Sequence, residues 1–95
     1  EPVTALEARE MGLIGRIVPD GEALPRALQI AAKIAANGPL AVQAIKQSVL
    51  AGLGVSESEG LARELEIGWP ILATEDAREG PRAFAEKRPA RFTGR

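Results

Sequence analysis

The sizes of the side chains limit the core that this chain can build. Of its 95 residues 45% are apolar, but many of these are Ala, and the aromatic side chains are one Trp and two Phe. Burial energy scales with the apolar area removed from water, so an Ala contributes little and a ring contributes much. A chain of this length also buries only about 60–65% of the surface that its unfolded form exposes. We therefore expect one small domain with a thin core that another surface completes.

Apolar residues recur at helical spacing along most of the chain, which predicts a mainly α fold. Thr4 with Glu7, and Ser56 with Glu59, have the spacing of a capping box and mark helix starts. Helical patterns cover residues 4–12, 22–38, 39–52, 56–68, 74–80 and 81–87. One short strand is expected near residues 13–18, where a brief apolar run contains β-branched residues.

Prolines and glycines set the expected helix boundaries. Pro39 suits the first position of a helix, where its missing N–H costs nothing. Pro70 predicts a kink or break near Gly68, because a proline inside a helix removes a hydrogen bond and costs about 3 kcal/mol. Gly80 and Pro81 predict the end of one short helix and the start of the next.

The residue types argue against a catalytic site within this chain. It has no His and no Cys, which removes the commonest general base, thiolate chemistry and disulfides. We expect neither a catalytic nor a metal-binding residue here. Carboxylate pairs such as Glu64/Glu66 diverge on a helix, and solvated helix faces explain them. No apolar run is long enough for a membrane span, and the lack of Cys fits a reducing compartment, so we expect a cytoplasmic protein without a membrane partner.

Positive charge is concentrated at the C-terminal end. Residues 78–95 hold six basic and two acidic residues, a net charge of +4, whereas residues 1–77 carry −5. Such an end can hold a phosphate. Phe84 and Lys87 are three residues apart and are expected on one helix face, where a ring beside an ammonium suits a ligand with a flat base and phosphates. A solvated basic tail that balances acids elsewhere in an assembly is the alternative. Nucleic acid is not expected, because the rest of the chain is acidic and aromatics are few.

Four stretches resemble the C-terminal portion of the enoyl-CoA hydratase/isomerase (crotonase) family. They are EAREMGLIGRIVP, ANGPLAVQAIKQSV, LARELE and TEDAREGPRAFAEKRPARFTGR, of which the last is the most specific. The resemblance implies the helical C-terminal region of a crotonase-like fold, with residues 1–21 as the tail end of the family's core and residues 22–95 as the helical region. It also implies an acyl-CoA substrate, with coenzyme A as part of the substrate and no other cofactor, and a homo-oligomer that is a trimer or paired trimers.

The resemblance also implies a role for two residues. In hydratases of this family an F-x-x-K motif often reaches the coenzyme A of a neighbouring subunit, and here that motif is Phe84 to Lys87. Phe84 is then expected to pack on the adenine or pantetheine portion, and Lys87 to meet a phosphate. The family's catalytic glutamates and its oxyanion-binding N–H groups belong to an N-terminal part. A non-catalytic helical module for oligomerisation or scaffolding is the alternative function.

Overall fold

The computed structural model describes residues 1–95 as a helical chain without a strand. Its elements are α1 (Ala5–Glu10), α2 (Ala23–Ala35), α3 (Pro39–Gly52), α4 (Glu57–Gly68), a 3-10 helix (Trp69–Ala73) and α5 (Glu75–Ala85). The prediction of a mainly α fold is confirmed. The chain divides into two compact units, residues 1–32 and 33–95, with the boundary inside α2. The expected boundary between residues 21 and 22 concerns the family's core and stays a prediction. None of the helices combines the length and apolarity needed to cross a membrane.

Helix α1 has the capping box expected from its sequence at one end and a glycine turn at the other. Thr4 Oγ1 accepts a hydrogen bond from the Glu7 N–H at 3.3 Å, and the Glu7 carboxylate accepts one from the Thr4 N–H at 2.8 Å. The Thr4 hydroxyl also donates to the Glu7 carboxylate at 2.7 Å, and this bond, followed by the one from the Thr4 N–H, holds the pKa of Glu7 below its ordinary value. At the other end Gly12 has a φ of 78°. The N–H groups of Gly12 and Leu13 donate hydrogen bonds to carbonyls of the last turn, those of Arg9 and Ala8. Helix α1 therefore ends in a Schellman motif, the usual place for a left-handed glycine.

The strand predicted near residues 13–18 is wrong. These residues have no regular secondary structure, and their larger apolar side chains are exposed, Ile14 to 40% and Ile17 to 38%. A strand needs a neighbouring strand to accept and donate its backbone hydrogen bonds. No segment of this chain pairs with residues 13–18, so their β-branched side chains have no sheet on which to pack.

The 33–95 unit is built around α3 and α4, which pack against each other, and the 3-10 helix contacts α3, α4 and α5. Pro39 is the first residue of α3, as predicted. Helix α4 ends at Gly68, and Pro70 lies in the 3-10 helix that follows, so the predicted break is confirmed. Tighter 3-10 winding lets the chain continue past a proline without a regular α-helical hydrogen-bond ladder.

The second predicted capping box is half formed. The Ser56 hydroxyl accepts a hydrogen bond from the Glu59 N–H at 3.3 Å and caps α4. The reciprocal bond is missing because the Glu59 carboxylate turns along the helix and binds the guanidinium of Arg63. This i,i+4 ion pair thus forms in place of the second half of the box.

Helix α5 is one continuous helix, Glu75–Ala85, so the prediction of two helices divided at Gly80 is wrong. The Thr74 hydroxyl caps the helix by accepting a hydrogen bond from the Ala77 N–H at 3.1 Å. Pro81 forfeits a single hydrogen bond, the one to the Ala77 carbonyl. Gly80 carries no Cβ, so one of the clashes that normally keeps the residue before a proline out of a helix is absent.

The core is as thin as the composition predicts. Ala44 and Ala83 are the only buried apolar residues, and Asp76 is the only buried charged one. The large apolar side chains are exposed instead, with Phe84 at 88% as the most exposed. Few apolar side chains of this chain are therefore fully removed from water, and hydrogen bonds add to the packing that holds the 33–95 unit together.

Candidate functional site

The turn that ends α5 places a lysine in an unusual backbone conformation. The N–H of Lys87 donates to the Phe84 carbonyl at 3.2 Å, and that of Arg88 donates to the Ala83 carbonyl at 3.0 Å. This is the Schellman pattern seen at Gly12, yet here the left-handed residue is Lys87, with a φ of 54°. Lys87 is the only residue other than glycine with a positive φ in the chain. Left-handed backbone costs a residue with a Cβ roughly 1–2 kcal/mol.

Lys87 therefore does not share a helix face with Phe84, and this part of the sequence prediction is wrong. Helix α5 ends at Ala85, so Phe84 lies in its last turn and Lys87 lies beyond it. The two residues are still joined by the backbone bond of the turn. Phe84 is 88% exposed, and the exposed ammonium of Lys87 makes no ion pair within the chain. The exposed Phe84 ring and the unpaired Lys87 ammonium thus extend from the same turn.

The residue after Lys87 is fixed by two carboxylates. Arg88 Nη1 and Nη2 donate to Glu79 Oε1 and Oε2 at 2.6 and 3.0 Å, and Arg88 Nε donates to Glu86. The Glu79 side chain is 15% exposed, and its Oε1 also accepts the Arg91 N–H at 2.8 Å. The Arg88 guanidinium, followed by the Arg91 N–H, lowers the pKa of Glu79 to about 2. The same carboxylates raise the pKa of Arg88.

A second carboxylate holds the end of the chain. Asp76, 6% exposed, accepts the Thr93 N–H on Oδ1 at 2.7 Å and the Gly94 N–H on Oδ2 at 2.8 Å. The Asp76 N–H donates to the Arg95 carbonyl at 2.9 Å. The C-terminal segment, residues 89–95, therefore runs back along α5 from its last turn to its first.

Sequence reasoning missed Asp76 and Glu79, because acidic residues near a helix start favour the helix dipole without any partner. The basic segment that follows α5 is the feature of the sequence that could have predicted a role for Asp76 and Glu79. A segment of this charge with Pro89 inside it cannot continue the helix, and the acids of α5 are the nearest partners in sequence. The spacing of Asp76 and Glu79, one turn apart on one face, fits a segment that runs alongside the helix.

The titration of Glu79 can be measured directly. Because its pKa is depressed, the Glu79–Arg88 pair stabilises the fold at pH values above the ordinary value of about 4.3 and is lost as the pH falls toward 2. We expect a carbon-13 NMR titration of the Glu79 carboxylate to give a midpoint near 2. In an Arg88→Leu variant the midpoint should rise toward the ordinary value. An ordinary midpoint in the unaltered chain would show that the pair does not form in solution.

An apolar surface lies elsewhere on the 33–95 unit. Ile45, Val49, Leu53 and Leu61 line a groove of about 440 Å³ between α3 and α4. The surface continues along α4 and the 3-10 helix through Leu61, Leu65, Trp69 and Leu72. These side chains are 54–70% exposed. Contiguous apolar patches of this kind usually mark contacts with another surface.

Comparisons with known proteins place the chain in a family. The family model described as enoyl-CoA hydratase/isomerase matches residues 1–95. This chain belongs to the enoyl-CoA hydratase/isomerase family. It is 53% identical over 93 residues to enoyl-CoA hydratase EchA19 of Mycobacterium tuberculosis, covering 98% of this chain and 35% of EchA19. It is 41% identical over 95 residues to the 2,3-dehydroadipyl-CoA hydratase of Escherichia coli, covering 100% of this chain and 37% of that protein.

The fold matches as well as the sequence. A crystal structure of an enoyl-CoA hydratase/isomerase from Mycobacterium paratuberculosis superimposes with a TM-score of 0.92 at 41% identity, covering 100% of this chain and 37% of that one. The chain thus spans little more than a third of its relatives, and the match is to their C-terminal part. The predicted helical C-terminal region of a crotonase fold is confirmed. The family acts on acyl-CoA substrates, and crotonase-fold proteins are typically oligomers.

Proposed function

We propose that this chain forms the C-terminal part of an acyl-CoA-processing enzyme, a hydratase or isomerase of fatty acid metabolism, and supplies part of its coenzyme A site. The conformation of Lys87 is the observation that carries the proposal. A glycine would adopt a φ of 54° at no steric cost, whereas a lysine pays for it in backbone strain. Strain at a single residue beside an exposed aromatic ring points to a function for the side chain.

The chemistry of the turn fits coenzyme A, which joins a flat adenine and phosphates to a pantetheine arm. The Lys87 ammonium can donate a charge-assisted hydrogen bond to a phosphate. The Phe84 ring, 88% exposed, can pack on the adenine or on the pantetheine. Arg88 is committed to Glu79 and Glu86, which leaves Lys87 as the unpaired cation of this turn. Coenzyme A enters as part of the substrate, and we propose no other cofactor.

The apolar surface supports a role in assembly. We infer that the catalytic part of the enzyme or a neighbouring subunit covers it, in a homo-oligomer that is a trimer or paired trimers. The same surface also favours the alternative of a non-catalytic scaffold module. Light scattering on residues 1–95 separates the two, because a discrete oligomer of the chain alone favours the scaffold. The expected cytoplasmic location stays a prediction.

Coenzyme A binding is tested in a fused enzyme, defined as residues 1–95 placed after the N-terminal part of EchA19 that this chain does not cover. Lys87→Ala is expected to weaken coenzyme A binding by about 1–2 kcal/mol, the scale of a lost charge-assisted hydrogen bond. Lys87→Gly is expected to weaken binding equally but to raise the thermal unfolding temperature, because it relieves the left-handed strain. Isothermal titration and thermal unfolding measure the two effects.

Lys33, an exposed lysine in α2, provides the matched control. Lys33→Ala removes the same charge and should leave the dissociation constant unchanged. If Lys87→Ala and Lys33→Ala bind coenzyme A as tightly as the unaltered fused enzyme at low salt, Lys87 does not contact the ligand.

A further inference from the structure

Glu79 is connected to Lys87 through one residue. Arg88 follows Lys87 directly, and its guanidinium forms a two-pronged pair with the Glu79 carboxylate at 2.6 and 3.0 Å. A pair of this geometry fixes orientation as well as distance. The Glu79 side chain is only 15% exposed, so water competes little for the carboxylate. The backbone that leaves Lys87 is therefore anchored to α5 one residue later.

The backbone on both sides of Lys87 is held. On the preceding side, the Lys87 N–H is bonded to the Phe84 carbonyl in the last turn of α5. On the following side, Glu79 binds the Arg88 side chain and, through Oε1, the Arg91 N–H at 2.8 Å. Both of these contacts converge on one carboxylate. Without them, only the two backbone bonds of the turn, from the Lys87 N–H and the Arg88 N–H, would oppose the cost of the left-handed conformation, which is roughly 1–2 kcal/mol.

We propose that Glu79 is a positioning residue of the coenzyme A site: by holding Arg88, it keeps Lys87 in the left-handed conformation from which the ammonium meets the ligand's phosphates. This inference rests on the proposed contact between Lys87 and coenzyme A. Glu86 does not have the same role. It binds Arg88 through a single bond, to Nε, and its side chain is 53% exposed, so it fixes neither the orientation of the guanidinium nor the backbone at Arg91.

The test compares two ligands in the fused enzyme, coenzyme A and pantetheine, which lacks the phosphates and the adenosine. Glu79→Gln is expected to raise the dissociation constant for coenzyme A about 3- to 10-fold, because a mobile lysine must be ordered on binding. The constant for pantetheine should not change. Arg88→Leu removes the same ion pair by deleting the guanidinium. It should raise the dissociation constant for coenzyme A to a similar extent and leave that for pantetheine unchanged. Glu86→Gln is the matched control and should change coenzyme A binding by less than about 2-fold.

A double variant isolates the link to Lys87. If Glu79 acts through Lys87, then Glu79→Gln combined with Lys87→Ala binds coenzyme A no more weakly than Lys87→Ala alone. If Lys87→Ala weakens binding and Glu79→Gln does not, the positioning role is wrong while the Lys87 contact stands. If Lys87→Ala itself has no effect, the contact is wrong. If Glu79→Gln weakens coenzyme A and pantetheine equally, Glu79 acts on the fold as a whole and the proposal is overturned.

Discussion

The fused enzyme is expected to hydrate a short enoyl-CoA, and residues 1–95 alone are expected to show no turnover above the uncatalysed reaction. The chain has no His and no Cys, and its relatives extend well beyond the third that it matches. Enzymes accelerate reactions at least about 10⁶-fold, so joining the two parts should change the rate from undetectable to easily measured. Loss of the absorbance of the conjugated enoyl thioester follows the reaction.

Two controls belong with this assay. The N-terminal part of EchA19 alone should be inactive or poorly folded, because it lacks the C-terminal region that residues 1–95 match. Intact EchA19 shows that the assay detects a working hydratase. If intact EchA19 turns over and the well-folded fused enzyme does not turn over enoyl-CoA of any chain length, the hydratase assignment is wrong, and an isomerase assay follows.

Asp76→Ala is expected to detach the C-terminal segment from α5. The variant leaves the N–H groups of Thr93 and Gly94 without their acceptor, and hydrogen bonds to a charged group stabilise by about 1.5–3 kcal/mol. Hydrogen exchange at these two amides should lose its protection, while amides in the middle of α3 keep theirs. Glu75→Ala removes the neighbouring, exposed carboxylate and should change neither set. Retained protection at Thr93 and Gly94 in Asp76→Ala would contradict the anchoring role of Asp76.

The local parts of the fold could be predicted from the sequence. The caps at Thr4, Ser56 and Thr74 depend on residues within one turn, and so do the start of α3 at Pro39 and the break at Pro70. A side chain and a backbone N–H three residues apart meet whenever a helix begins there. The thin core followed from side-chain sizes alone.

The predictions that were wrong concern features that residues far away in the sequence decide. Whether residues 13–18 form a strand is decided by a partner strand, which this chain does not supply. Whether α5 continues through Pro81 depends on the balance of one lost bond against the contacts that the helix makes elsewhere. Glu79 meets Arg88 nine residues later only because the C-terminal segment turns back, and no periodicity in the sequence encodes that return.

The candidate site was found in part. The F-x-x-K motif and the basic C-terminal end predicted a site at Phe84 and Lys87, and both residues lie in one exposed turn. The left-handed conformation of Lys87 could not be foreseen, because a Schellman motif is predicted from a glycine and this turn has none.

The contact between Lys87 and coenzyme A can be seen in a crystal structure of the fused enzyme with coenzyme A bound. We expect Lys87 Nζ to lie about 2.7–3.2 Å from a phosphate oxygen, with Lys87 still left-handed and the Phe84 ring against the adenine or the pantetheine. Coenzyme A bound with its phosphates beyond the reach of Lys87, and with Phe84 packed against protein alone, would contradict it.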